Sequence, residues 1–476
     1  MERKSGVLMH ISSLFGEYSV GSFGEEARYF IDFLEKCGFG YWQVLPFCMV
    51  DECNSPYKSY SAFGGNPYFV DLKCLYEKGL LTPEELEESR QQNPYVCEFE
   101  RLHNNRLKLL QSASKRVKNR DEIEEFIRKN PYISSVCQFM ALRESNNGLP
   151  WNKWKNEEIS EEILFAWKFI QYEFFTQWAA IKKYANDKGI RIIGDVPIYV
   201  SYDSCDVWSN REQYCLSKSK KPTMVAGVPP DYFCEDGQLW GNPLYDWKQM
   251  KRDGYRWWRD RISHMAQMFD GIRIDHFRGI ESYWAVPAKA ETAKEGSWKK
   301  GPGMDLVRAI KEACGNAQLI AEDLGDITPE VQKLVQQSGF PGMRVFQFGF
   351  MGQGDNLHRP HHYPKNCVAY TGTHDNNTLL GYLWETEQSV KEEMLRYCGH
   401  YGDWGEGCSS IIRTMMASHA DLVIMPIQDL LGYGSDTRLN IPGKSDGNWQ
   451  YRITKEQLDS INPKHWYELN KLYGRL

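Results

Sequence analysis

Eight short runs rich in apolar and β-branched residues punctuate the chain, at residues 7–11, 41–46, 190–197, 270–275, 318–322, 343–348, 367–373 and 422–426, and longer stretches with helical periodicity separate them. Alternation of this kind builds a parallel sheet, because each crossover must carry the chain back to the end where the next strand begins. Eight such units close a barrel, and 476 residues leave room for insertions. The expected fold class is therefore α/β, a (β/α)8 TIM barrel with a helical insertion and irregular loop insertions.

The gaps between runs locate those insertions. Residues 1–70 start the barrel and 71–160 form a helical subdomain. Within that subdomain Pro83 opens a helix with Glu84 and Glu85 in its first turn, and Asp121 caps another. Residues 161–200 return to the barrel through a long amphipathic helix whose Phe165, Phe169, Trp178 and Ile181 pack on the sheet. Residues 201–256 are rich in Pro, Gly, Trp and Tyr without clear periodicity, and are expected to be a loop-rich insertion over the active site. The remainder, 257–476, completes the barrel.

Acidic residues recur where the runs end: Asp195 after RIIG, Asp275 ending DGIRID, Glu322 after LIA and Asp375 after YTGTH. One such residue is usually a helix N-cap. Four on the C-terminal rim of one barrel share the place where barrel active sites lie. Retaining cleavage of a glycosidic bond needs two carboxyl groups about 5 Å apart, one ionised to attack and one protonated to assist departure. Arg273, two residues before Asp275, shares its strand face and holds it ionised, which makes Asp275 the nucleophile. The apolar approach Leu319-Ile320-Ala321 favours a protonated Glu322 as acid/base. Asp375 adds charge near the transition state, whereas Asp323 faces the other way and is structural.

Composition narrows the partner. A net charge of −6 offers no basic stripe for nucleic acid, and no apolar run approaches the ~20 residues of a membrane helix. Sixteen tryptophans within a 14% aromatic fraction suit sugar rings, whose C–H faces stack on aromatic planes. Thirteen scattered cysteines without CxxC spacing read as reduced thiols of a cytoplasmic protein. His358, His361 and His362 in HRPHH invite a metal reading, but a proline-interrupted loop is a poor frame for ligand geometry, so no metal is expected.

The segments SPYKSYSAFGGNP (55–67), GDVPIYV (194–200), GVPPDYF (227–233), GQLWGNPLYDW (237–247), FDGIRIDHFRG (269–279), AEDLG (321–325), GMRVFQF (342–348) and THDNNT (373–378) resemble those of the amylomaltase family, the 4-α-glucanotransferases. PIQDLLG (426–432), RLNIPG (438–443) and GNW (447–449) continue the resemblance to the tail. It implies an α-amylase-like barrel, no metal or organic cofactor, and transfer of α-1,4-glucan segments among maltooligosaccharides and other glucans from starch or glycogen, with glucose as an acceptor. It also assigns nucleophile, acid/base and transition-state carboxylate to Asp275, Glu322 and Asp375. By the same comparison Tyr57, Asp195, Arg273 and His374 surround the transferred sugar, Trp240 stacks on the acceptor side, and Tyr232 and Phe233 belong to a substrate-covering loop. A hydrolase of the α-amylase kind would use the same three carboxylates, and a non-catalytic glycan-binding protein would need none of them.

Overall fold

A computed structural model describes residues 2–230, 235–352, 354–444 and 446–476. Each of the eight expected runs overlaps a strand of one parallel sheet: β1 (Lys4–Leu8), β2 (Tyr41–Gln43), β3 (Arg191–Val196), β6 (Gly271–Ile274), β9 (Gln318–Ala321), β10 (Gly342–Val345), β11 (Cys367–Tyr370) and β12 (Leu422–Pro426). Their order is β10-β11-β12-β1-β2-β3-β6-β9, so the first strand pairs with the last. The seam between β9 and β10 is stitched differently. The Ala321 N–H donates to the Pro341 carbonyl at 2.9 Å, and Asp323 accepts the Met343 N–H at 2.6 Å and pairs with Arg344 at 3.2 Å. Asp323 is thus structural, as expected, and its neighbour Glu322 is left facing inward.

Side-chain alternation separates two cores. Leu8, Tyr41, Ile193, Ile320, Val345 and Ile424 fill the barrel, while Val7, Trp42, Ile192, Ile272 and Val423 face the helices outside. The Gly6 backbone lies so close to Tyr41 that a Cβ would sit 2.7 Å from its carbonyl oxygen. Any larger residue would push β1 away from β2.

The long helix spans Glu161–Asp187, with Ser160 accepting the Ile163 N–H as its cap and Phe165, Phe169, Trp178 and Ile181 buried. Helices Leu107–Lys115 and Pro131–Ser145 of the inserted segment pack against it. Thr82 closes a capping box with Glu85 at the start of Pro83–Glu88. Asp121 differs from expectation: it is the first helical residue of Asp121–Lys129, and its N–H is taken by the Asn119 side chain. A carboxylate in the first turn still meets the positive end of the helix dipole, so the sequence signal is the same one position along.

A second correction concerns residues 201–256, which are not merely irregular. They contribute β4 (Met224–Val228) and β5 (Gln238–Pro243) to an antiparallel sheet of order β5-β4-β7-β8, completed by β7 (Ser282–Pro287) and β8 (Ser297–Lys300). This sheet grows from the end of β6 and brings β5 over the rim. Among the described residues no helix is long and apolar enough to cross a membrane.

At the opposite end, fully buried Arg475 donates to the carbonyls of Lys4 and Met416 at 2.9 and 2.8 Å and to those of Ser418 and Ala420 at 3.2 and 3.1 Å. Replacing it with methionine removes every one of those donors. Arg475→Met is expected to lower stability by about 3 kcal/mol, measured as an earlier urea transition. A loss below about 0.5 kcal/mol would show that water replaces the guanidinium without cost.

Candidate active site

Strand register decides which carboxyl groups meet. Asp195 on β3 and Arg273 on β6 are direct partners across the ladder, and both point into the barrel. Arg273 is also opposite Ile320 on β9, so two residues further along Asp275 and Glu322 stand side by side on the same inward face. Backbone bonds carry that register past the strands: Asp275 N–H to Val196 O at 3.0 Å, and Glu322 N–H to Ile274 O at 3.1 Å.

The centre is one cation among three acids. Arg273 Nη1 lies 2.6 Å from Asp195 Oδ2 and 2.9 Å from Asp275 Oδ1, and its Nε contacts the Met343 sulfur at 3.3 Å. Burial opposes its charge, but Asp195 and Asp275 hold the guanidinium firmly protonated. Asp195 accepts the Tyr57 hydroxyl at 2.8 Å. Its burial outweighs the pull of Arg273 and raises its pKa. Tyr57, also raised by burial and by Asp195, remains a donor. The second oxygen, Asp195 Oδ1, is buried with no hydrogen-bond partner in the protein.

Glu322 has no cation of its own. Burial pushes its pKa up to about 8, and the charge of Asp275 adds to the shift against the pull of Arg273. Its oxygens accept the His276 N–H at 2.6 Å and the Leu324 N–H at 2.8 Å. Exposure separates the two carboxyl groups further: the Asp275 side chain is 28% exposed whereas Glu322 is 7% exposed as a residue, so Asp275 is open and Glu322 is enclosed.

His276 adopts a left-handed backbone with φ 49°. For a non-glycine residue that costs roughly 1–3 kcal/mol, and such outliers cluster at functional sites. Here it turns the His276 N–H onto Glu322. Burial lowers the imidazole to about 4, leaving a neutral ring that meets Trp240 edge to face at 4.9 Å. Trp240, on β5, is half-exposed.

The fourth wall carries His374 and Asp375, beyond β11. His374 is buried, stacks on Tyr57 at 5.0 Å, and places Nε2 3.4 Å from Asp375 Oδ1. Asp375 is held by Asn440 Nδ2 at 2.6 Å on that same oxygen, and Arg438 donates to its carbonyl at 2.6 Å. Trp449 closes the group, 6.0 Å from both Tyr57 and His374.

Eight of the ten residues singled out from sequence therefore surround one site: Tyr57, Asp195, Trp240, Arg273, Asp275, Glu322, His374 and Asp375. The other two, Tyr232 and Phe233, lie outside the described residues. Asn440, Arg438, Trp449 and the His276 backbone were not foreseen as participants. RLNIPG and GNW marked the first three, although nothing in those segments says that the chain folds back over Asp375.

The pattern of 4-alpha-glucanotransferases, the family designated glycoside hydrolase 77, matches residues 9–458. A 4-alpha-glucanotransferase from Clostridium butyricum is 43% identical over 98% of this chain and 100% of its own length. One from Thermus thermophilus is 41% identical over 99% and 98%. The amylomaltase from Streptococcus agalactiae, solved in complex with acarbose, superposes with a TM-score of 0.95 at 36% identity over the whole of both chains.

A protonated Glu322 sets a pH limit. The Glu322 proton is lost as pH rises through about 8, so a rate that depends on Glu322 as general acid should show its basic limb there. Because the folded state keeps a proton that the unfolded chain releases near pH 4.5, stability should also decline between about pH 4.5 and 8. A basic limb in the transfer rate below pH 6 would remove Glu322 from the role of acid.

Proposed function

The chain belongs to the 4-alpha-glucanotransferase family and acts on α-1,4-glucans, and we propose that it does so by double displacement, with Asp275 as nucleophile and Glu322 as acid/base. The carrying observation is the sharing of one guanidinium by Asp195 and Asp275 while Glu322 beside them, buried without a cation of its own, has its pKa pushed up to about 8. Asp275 attacks the anomeric carbon as Glu322 protonates the departing glycosidic oxygen, which leaves a glycosyl ester on Asp275. An incoming sugar hydroxyl then loses its proton to the Glu322 carboxylate and attacks the same carbon, releasing Asp275. Two inversions retain the α configuration.

The remaining residues position the sugar ring. Asp195 Oδ1, an unpartnered buried acceptor, suits a sugar hydroxyl. Tyr57 and His374 offer a stacked pair beside it, and Asp375 puts negative charge near the oxocarbenium-like transition state. Donors in this reading are maltooligosaccharides and related glucans from starch or glycogen, with glucose among the acceptors. Residues 71–160 act as a helical insertion and 201–256 as the cover over the acceptor side.

Maltotriose tests the reaction. Glucose together with chains longer than maltotriose is the expected product set, whereas glucose and maltose alone would mean that water is the acceptor. Asp275→Asn should lower turnover by about a thousandfold or more without altering the far-ultraviolet circular dichroism. A variant keeping over a tenth of the parent activity would exclude Asp275 as nucleophile.

Trp240 sets the choice of acceptor. Its ring abuts His276, whose N–H binds the acid/base, so a sugar stacked on Trp240 lies next to the group that must take its proton. Trp240→Ala should raise the ratio of hydrolysis to transfer, read from free glucose and total reducing ends. An unchanged ratio with lowered thermal stability would leave Trp240 as an anchor only.

A further inference from the structure

The HRPHH segment plays no part in the transfer chemistry, yet it folds into a defined arrangement. His358 turns inward: its Nδ1 accepts the Val345 N–H at 3.1 Å, and desolvation lowers it to about 4, so it braces the end of β10 as a neutral ring. The short turn Pro360–His362 sends the next two rings outward. His361 Nε2 lies 3.2 Å from Asp355 Oδ1 and His362 Nε2 lies 2.5 Å from Asp355 Oδ2, with the two rings 4.1 Å apart. The three donor groups fall within 4.8 Å of one another, and no other such trio of His, Cys, Asp or Glu occurs among the described residues. The proline that argued against ligand geometry presents both imidazoles to one carboxylate.

We propose that Asp355, His361 and His362 form a surface site for one divalent ion of the Zn2+ type, bound by two imidazole nitrogens and a carboxylate, with water completing the shell. Tetrahedral Zn2+ with bonds of about 2.0–2.1 Å places its ligand atoms about 3.3 Å apart, a spacing these side chains reach by small rotations. Two nitrogens and one oxygen suit zinc, nickel or copper, whereas calcium and magnesium require oxygen shells. Tyr397 supplies the outer contact that orients a ligating histidine. Its hydroxyl accepts the His361 backbone N–H at 3.1 Å and lies 2.9 Å from His361 Nδ1. Accepting Nδ1–H there leaves the Nε2 lone pair to the ion. Arg359 is the cation facing Asp355, at 4.0 Å, but its Nη2 is engaged by Glu393 at 2.7 Å, so it does not fill the site. A bound ion would staple residue 355 to residues 361 and 362, fastening the loop between β10 and β11.

The test is a titration of the full-length protein, stripped by chelator, with Zn2+ against a competing chromophoric chelator. One ion per chain is expected, bound at least tenfold more weakly by His361→Gln/His362→Gln and by Asp355→Asn. The parent should gain a Zn2+-dependent rise in Tm that both variants lose and that Ca2+ does not reproduce. Transfer from maltotriose should be the same for parent and variants, with or without the ion. Equal Zn2+ affinity in parent and variants would move binding to thiols such as exposed Cys53 and overturn the proposal. So would the absence of saturable binding below about 100 μM.

Discussion

A single guanidinium orders the cluster of acids at the end of the barrel. Arg273 is buried where an unpaired charge would be prohibitive, and two carboxylates, Asp195 on the adjacent strand and Asp275 two residues along its own chain, make its burial tolerable. Three acids around one cation would carry excess negative charge in a desolvated space, so one of them must keep its proton. The group that does so is Glu322, which has backbone donors but no cation of its own. Asp275 and Glu322 thus become different through position relative to Arg273, although both are carboxyl groups just past the ends of adjacent strands.

The placement of these acids was legible in sequence because it rests on period-two alternation and on strand ends. RID places Arg273 and Asp275 on one face, and LIAED sends Glu322 and Asp323 to opposite faces. The inward residue entered the site and the outward one closed the seam with Met343 and Arg344. The antiparallel sheet was hidden, because its strands are short, broken by a bulge between Val225 and Gly227, and drawn from segments separated by the whole of β6. The hold of Asn440 and Arg438 on Asp375 was equally hidden. It joins residues more than sixty positions apart through a loop whose path no local pattern specifies.

That sheet is linked to Glu322. β5 carries Trp240, Trp240 abuts His276, and the left-handed turn at His276 aims its N–H at Glu322. An element reaching over the rim therefore bears on Glu322. A displacement of β5 would be felt at Glu322 through a chain of direct contacts.

The pairing of β1 with β12 has a consequence for how the molecule is made. On the ribosome, the edge of β1 that faces β12 stays open while more than four hundred residues are synthesised, since residues 422–426 are its partner and Arg475 ties Lys4 to that end of the sheet. A nascent chain therefore carries an unpaired, apolar strand edge until residues 422–426 have been made, the kind of surface that seeds aggregation. Chaperone demand during translation should fall abruptly once the last strand emerges.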